Sequence, residues 1–186
     1  MTGIEYFRVN SDEADASVTG TNSVGVGPRA VVEGNNSVAI GLDASAFGPG
    51  DAVSVGYLAS SLSSGTVAIG SSAKAPGQNG IAIGWAAECG GLDSTALGSN
   101  AASAAEKSTA LGCAAVVTVT NGVALGAGSV CDRDASVSIG TAEQPRQLIN
   151  VADASAPGDA VNFAMYLAMR AELAKLQARV AALEKR

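Results

Sequence analysis

The sequence predicts a mainly β protein: a parallel β-roll of nine coils, about 14 residues each, followed by a coiled-coil helix. Three observations carry this. Glycines recur at a fixed interval, the residues just before them have fixed chemistry, and near residue 166 the hydrophobic period changes. The glycines are Gly27, Gly41, Gly56, Gly70, Gly84, Gly98, Gly112, Gly126 and Gly140, spaced by 14 except for one step of 15 between Gly41 and Gly56.

The columns before these glycines define a strand. One position earlier every copy has an aliphatic residue, such as Ile40, Ile69, Leu97 or Leu125. Three positions earlier every copy is β-branched, such as Val38, Val67, Thr95 or Val123. The position between them is small in all nine copies: Gly25, Ala39, Ser54, Ala68, Ala82, Ala96, Ala110, Ala124 and Ser138. Large–small–large alternation is the mark of a strand with two unlike faces. Glycine ends it, because positive φ costs glycine nothing and the chain can turn. A second turn precedes each strand, at Asn22, Asn36, Asp51, Asn79, Asp93 and Asn121. A second short strand follows the glycine, opened by a small residue from Ala30 to Ala115 and by Ser129 in the eighth copy. Strand, turn, strand and turn make one solenoid coil. Nine coils at a rise of roughly 4.8 Å would extend about 43 Å.

Composition agrees with a thin array. Hydrophobic residues make up 47% and aromatics 4%, with 23 glycines, so Ala, Val, Ile and Leu must supply the core. Two large aliphatics per coil bury little apolar area, worth only about 25 cal/mol per Å². The expectation is that these aliphatics pack inside the roll. The small column would then leave a flat face for another copy of the chain, through Ala39, Ala68, Ala82, Ala96, Ala110 and Ala124. A small column turned to solvent is the alternative.

From Tyr166 the period becomes helical. Tyr166, Met169, Leu173, Leu176, Val180 and Leu183 alternate steps of three and four, the seam of a coiled coil. Leu173, Leu176, Val180 and Leu183 are its expected contacts with other chains. Arg179 and Glu184 flank the seam as an expected pair between chains. A helix folded back on its own domain would share this spacing, but the roll is already committed to its own repeat.

The recurring phrase, as in Ser37-Val38-Ala39-Ile40-Gly41 and Thr66-Val67-Ala68-Ile69-Gly70, resembles the head repeat of the YadA-like trimeric autotransporter adhesins. Residues 146–152 and 159–162 resemble that family's neck, and Tyr6-Phe7-Arg8-Val9-Asn10-Ser11 is similar to the segment that often precedes such heads. The resemblance implies a left-handed roll, a parallel homotrimer and four segments. These are an N-terminal lead-in and cap over 1–21, a head over 22–140, a neck over 141–163 and a coiled-coil stalk over 164–186. Arg146, Asn150, Asp159 and Asn162 are then neck residues. It also implies a bacterial cell-surface protein, held in the outer membrane through a C-terminal region beyond this chain, with host cells or extracellular-matrix proteins as partners. Phe163-Ala164-Met165-Tyr166 departs from the family's usual Gln-Leu pair after the neck. The runner-up is a trimeric structural or receptor-binding phage fibre, which would share roll and trimer but not the neck phrase.

Other classes find no support. The net charge is −6 with no His, which lacks the basic footprint of a nucleic-acid binder and removes the commonest general base and metal ligand. No carboxylate pair, nucleophile or phosphate loop stands out, so no catalysis, cofactor or metal is expected. A hexapeptide-repeat acyltransferase needs a six-residue period, a calcium β-roll needs Gly-Gly-x-Gly-x-Asp, and an ice-binding solenoid needs a regular Thr ladder. No stretch reaches the roughly 20 apolar residues of a membrane helix, and residues 1–10 do not read as a signal peptide. Cys89, Cys113 and Cys131 are expected to be free and buried. Cys89 and Cys131 lie three coils apart, about 14 Å, beyond disulfide reach. The column after the turn glycines reads Pro28, Leu42, Tyr57, Ser71, Trp85 and Ser99. Tyr57 and Trp85 flanking Ser71 are the expected adhesive patch, and filling a groove between subunits is the other use for these rings.

Overall fold

The computed structural model describes residues 12–185. The lead-in phrase Tyr6–Ser11 lies outside the described residues. The chain divides into two compact units, residues 1–145 and 146–186. The first is a parallel β-solenoid of about nine 14-residue turns. The two-residue strands from Ser17–Val18 to Val130–Cys131 form one nine-stranded sheet. The strands from Val24–Val26 to Val137–Ser138 form the other. Every pairing is parallel and joins equivalent positions of successive coils, as in Ala82 with Ala96 and Ala96 with Ala110.

The 15-residue step is absorbed in one turn. Val53 still pairs with Val38, and Gly50 bridges Asn35, so Pro49 is extruded and the register downstream is intact. Repeating coils tolerate this because each coil contacts only its neighbours.

The faces of the longer strands are the reverse of the expectation. Ala39, Ala68, Ala82, Ala96, Ala110 and Ala124 are wholly buried inside their own chain, so none lies on a face that a second copy can reach. The aliphatics beside them point outward: Ile40, Ile69, Ile81, Leu97, Leu111 and Leu125 are each 37–44% exposed. The reason is the width of the roll. Its largest fully buried aliphatic side chains are Val32 and Val117, and the rest of the interior is Ala, Ser, Thr and Cys. Two sheets joined by turns this short leave room between them for little more than a methyl group, so Ala turns in and Ile must turn out. The small residues opening the second strands, Ala30, Ala44, Ala59, Ala73, Ala87, Ala101, Ala115 and Ser129, are buried as expected.

The hydroxyl that opens four of the repeat phrases is also internal. Ser37, Thr66, Ser94 and Ser108 are fully buried. Ser37 donates to the Asn35 carbonyl at 2.9 Å and accepts from the Ala52 amide at 3.1 Å, bracing the turn and tying it to the next coil. Thr66, Ser94 and Ser108 make the equivalent intra-turn bond to the carbonyl three residues back. Among the described residues no buried side-chain N or O lacks a partner, which is what a hydroxyl-bearing interior requires.

Both turns rely on the left-handed region. The Asn and Asp turn residues, from Asn22 to Asn121, have φ of 51–58°. The turn after the glycine places Arg29, Asp43, Leu58, Ser72, Ala86, Asn100 and Ala114 there too, with φ of 50–60°. Leu and Ala do not favour this conformation, at roughly 1–2 kcal/mol each. The column glycines carry a second constraint. A Cβ on Gly98 (φ +139°) would stand 2.5 Å from the backbone of Gly112 in the next coil. These glycines permit stacking as well as turning.

The second unit holds the helix Phe163–Leu183. Asn162 caps it, its side-chain oxygen accepting from the Met165 amide at 2.9 Å. No residue of the helix is buried within the chain.

Candidate functional site: an exposed turn column and an apolar sheet face

The turn column is built by the ladder. The Ser72 amide donates to the Tyr57 carbonyl at 2.8 Å, Ala86 to Ser71 at 2.9 Å and Asn100 to Trp85 at 2.8 Å. Tyr57, Ser71, Trp85 and Ser99 therefore occupy consecutive rungs. Tyr57 is 50% and Trp85 57% exposed, Ser71 is half-buried, and Leu58 beside Tyr57 is exposed. The sequence prediction that these rings share one column holds in the geometry.

The outward sheet face is the larger apolar feature. Its two columns run from Val24 and Val26 to Val123 and Leu125 and are aliphatic at every rung except for Thr95 and Thr109. Sequence reading found these columns and assigned them to the interior. The helix seam is similarly open: Tyr166, Met169, Leu173, Leu176, Val180 and Leu183 are all 46–66% exposed.

The predicted neck residues are well defined. Asn150 adopts φ 60°. The Asp159 carboxylate accepts from the Ser155 and Ala156 amides, both at 2.9 Å, and from the Ser155 hydroxyl at 3.3 Å. The backbone amide of Ser155, then that of Ala156, holds the Asp159 pKa below its ordinary value. Asn162 does more than cap. Its amide donates to the Val151 carbonyl at 3.2 Å and to Asp153 at 2.6 Å, tying the helix start to the incoming segment. Asp153 was not singled out in the sequence, because an aspartate in a loop has no local pattern. A shallow depression of about 510 Å³ opens here, lined by Leu148, Ile149, Val151, Val161 and Phe163 among others.

All three cysteines are free. Cys89 and Cys131 are buried, and burial pushes the Cys89 thiol up to about 12. Cys113 departs from expectation: it is exposed, because it occupies the same outward turn column as Tyr57 and Trp85. Among the described residues no group of three or more His, Cys, Asp or Glu could hold a metal ion, and no helix is long and apolar enough to cross a membrane.

The model of the YadA head domain repeat (2 copies) matches residues 19–44, 63–87 and 90–112. The crystal structure of the collagen-binding domain of the Yersinia adhesin YadA is similar, with 32% identity and a TM-score of 0.59. The match covers 81% of this chain and 75% of that one. No curated protein sequence matches. The chain belongs to the YadA head family, whose members are surface-exposed, non-catalytic adhesins.

Proposed function

We propose that this chain is the attachment head of a bacterial surface adhesin that works as a parallel homotrimer and binds host cells or extracellular-matrix proteins. The observation that carries the assembly is the long, mostly aliphatic sheet face, left open in the single chain. A patch of that length on a soluble β-protein marks an interaction surface, and a neighbouring copy offers the same aliphatics at the same rise. The seam residues Leu173, Leu176, Val180 and Leu183 extend the same logic to the helix, since a/d residues of one helix need partners. In this reading the roll is left-handed, 1–21 is the lead-in and cap, 22–140 the head, 141–163 the neck and 164–186 the start of a stalk. Arg146, Asn150, Asp159 and Asn162 then shape the neck, and an anchor beyond this chain holds the protein in the outer membrane.

Kinship with a collagen-binding domain supports a matrix ligand. We place the contact at Tyr57, Ser71 and Trp85, where exposed aromatics sit on rigid turns. Two measurements test this. Light scattering should return three chains per particle; a stable monomer or dimer refutes the assembly. Purified protein should bind at least one component of a panel of matrix proteins and host-cell surfaces, and no saturable binding to any refutes the attachment role.

A further inference from the structure

We propose that the column carrying Tyr57, Ser71 and Trp85 is a platform for a linear, neutral, β-linked polysaccharide lying along the roll axis. This rests on the adhesive reading of that column and names its ligand class.

The spacing comes first. The two rings are two rungs apart, about 10 Å. One pyranose in an extended β-linked glycan advances the chain by close to one strand spacing. Sugars one and three then lie over Tyr57 and Trp85, and the middle sugar lies over Ser71. In a β-1,4 chain successive sugars are turned over, so sugars one and three offer the rings the same face. The axial C–H bonds of that face are apolar and suit an aromatic surface, whose π face carries partial negative charge.

The polar groups fit the same ligand. Among the described residues the Tyr57 hydroxyl, the Trp85 indole N–H and the Ser71 hydroxyl make no side-chain hydrogen bond within the chain. Ser99 and Asn100 follow on the next rung, with the Asn100 amide 3.4 Å from the Ser99 hydroxyl. These donors and acceptors match sugar hydroxyls.

Charge decides between glycans. From Tyr57 to Asn100 the two turn columns contain no charged residue. Arg29 and Asp43, the charges in these columns, stand on earlier rungs and are paired with each other at 2.6 Å. Lys74, the exposed cation of the Ser71 coil, stands on the second strand with the exposed Glu88 as its register partner, so a sulfated or carboxylated chain meets a charge-balanced pair and not a cationic site. The backbone argues against an added peptide strand. The carbonyls of Tyr57, Ser71, Trp85 and Ser99 already accept from the following coil, so no ladder is open for one. Recognition falls to side chains, as for a sugar.

Trp85 is the single tryptophan, so its fluorescence reports on the site. The intact chain, in its native oligomeric state, is titrated with cellohexaose and chitohexaose, and separately with glucose, a heparin fragment and a triple-helical collagen peptide. A saturable emission change with a neutral hexasaccharide, absent with glucose and heparin, is expected. By calorimetry Trp85→Ala and Tyr57→Ala should each weaken binding at least tenfold, while Trp85→Phe, which keeps a ring, should stay within a few-fold. Unchanged circular dichroism in each variant separates lost binding from lost folding. Collagen-peptide binding with no response to either hexasaccharide overturns the glycan assignment and leaves attachment standing. A Trp85 that acrylamide cannot quench in the native oligomer overturns both the glycan assignment and the placing of the contact on this column, because the rings are then packed between subunits.

Discussion

Replacing Gly98 with Ala tests whether glycine is demanded by stacking. The new methyl meets the Gly112 carbonyl carbon and oxygen at 2.5 Å and the Cys113 amide nitrogen at 2.9 Å, in a backbone at φ +139°. Contacts that short cannot persist, and the obstacle is backbone. Gly112 cannot simply retreat, since its amide donates to the Leu97 carbonyl at 2.8 Å in the ladder. An unfavourable backbone conformation costs about 1–3 kcal/mol, and overpacking a tight interior about 1–3 kcal/mol. Their sum, about 2–6 kcal/mol, is a large part of a typical stability of about 5–15 kcal/mol. Gly128→Ala is the control. That glycine has φ +67° and nothing within 4 Å of an added Cβ, and Ala86 and Ala114 already occupy the same slot of other coils. It should cost about 1–2 kcal/mol, the left-handed penalty alone. Guanidinium unfolding followed by circular dichroism, at one fixed protein concentration, compares the two. Equal losses for both variants, or a Gly98→Ala loss below about 1 kcal/mol, would refute the reasoning.

Three further outcomes follow from the same geometry. Ala96→Phe should destroy the β signal of the roll itself, whereas Leu97→Ser should keep that signal and lower the particle mass in sedimentation; the opposite pattern would return the alanines to the interface. Under native conditions one thiol, Cys113, should react quickly with a thiol reagent, while Cys89 and Cys131 react only in denaturant, for a total of three. A native count of three would contradict the burial of the other two. Asp159 is held below its ordinary pKa, so its contribution is present above the usual aspartate range, near about 3.9, and is lost as the pH falls through its folded value. The protection of the Ser155 and Ala156 amides, taken relative to intrinsic exchange at the same pH, should fall at that low pH and in Asp159→Asn at neutral pH; unchanged protection would remove the carboxylate from the turn.

Several features were visible in the residues because a solenoid is nearly one-dimensional. Each coil repeats the environment of the last, so a column of Gly or of Asn reports a recurring backbone geometry directly. The Asn and Asp turns were legible for this reason. The companion turn was not: Leu58, Ala86 and Ala114 carry no left-handed signal, and only the ladder on either side forces them there. The Asp153–Asn162 tie was hidden too, because it joins residues nine apart across a loop.

The sequence by itself determined the period, the number of coils, the strand positions, the shift to a helical period from Tyr166, and the family. All of these are local or repeat along the chain. Only the tertiary structure decided which face of the longer strand is inside. Alternation tells that Ala96 and Leu97 point opposite ways, but nothing in a period of two says which way is in. That depends on the distance between the two sheets, which the short turns set. The gap admits Ala and excludes Leu, so the aliphatic ladder faces outward and the small residues form the core.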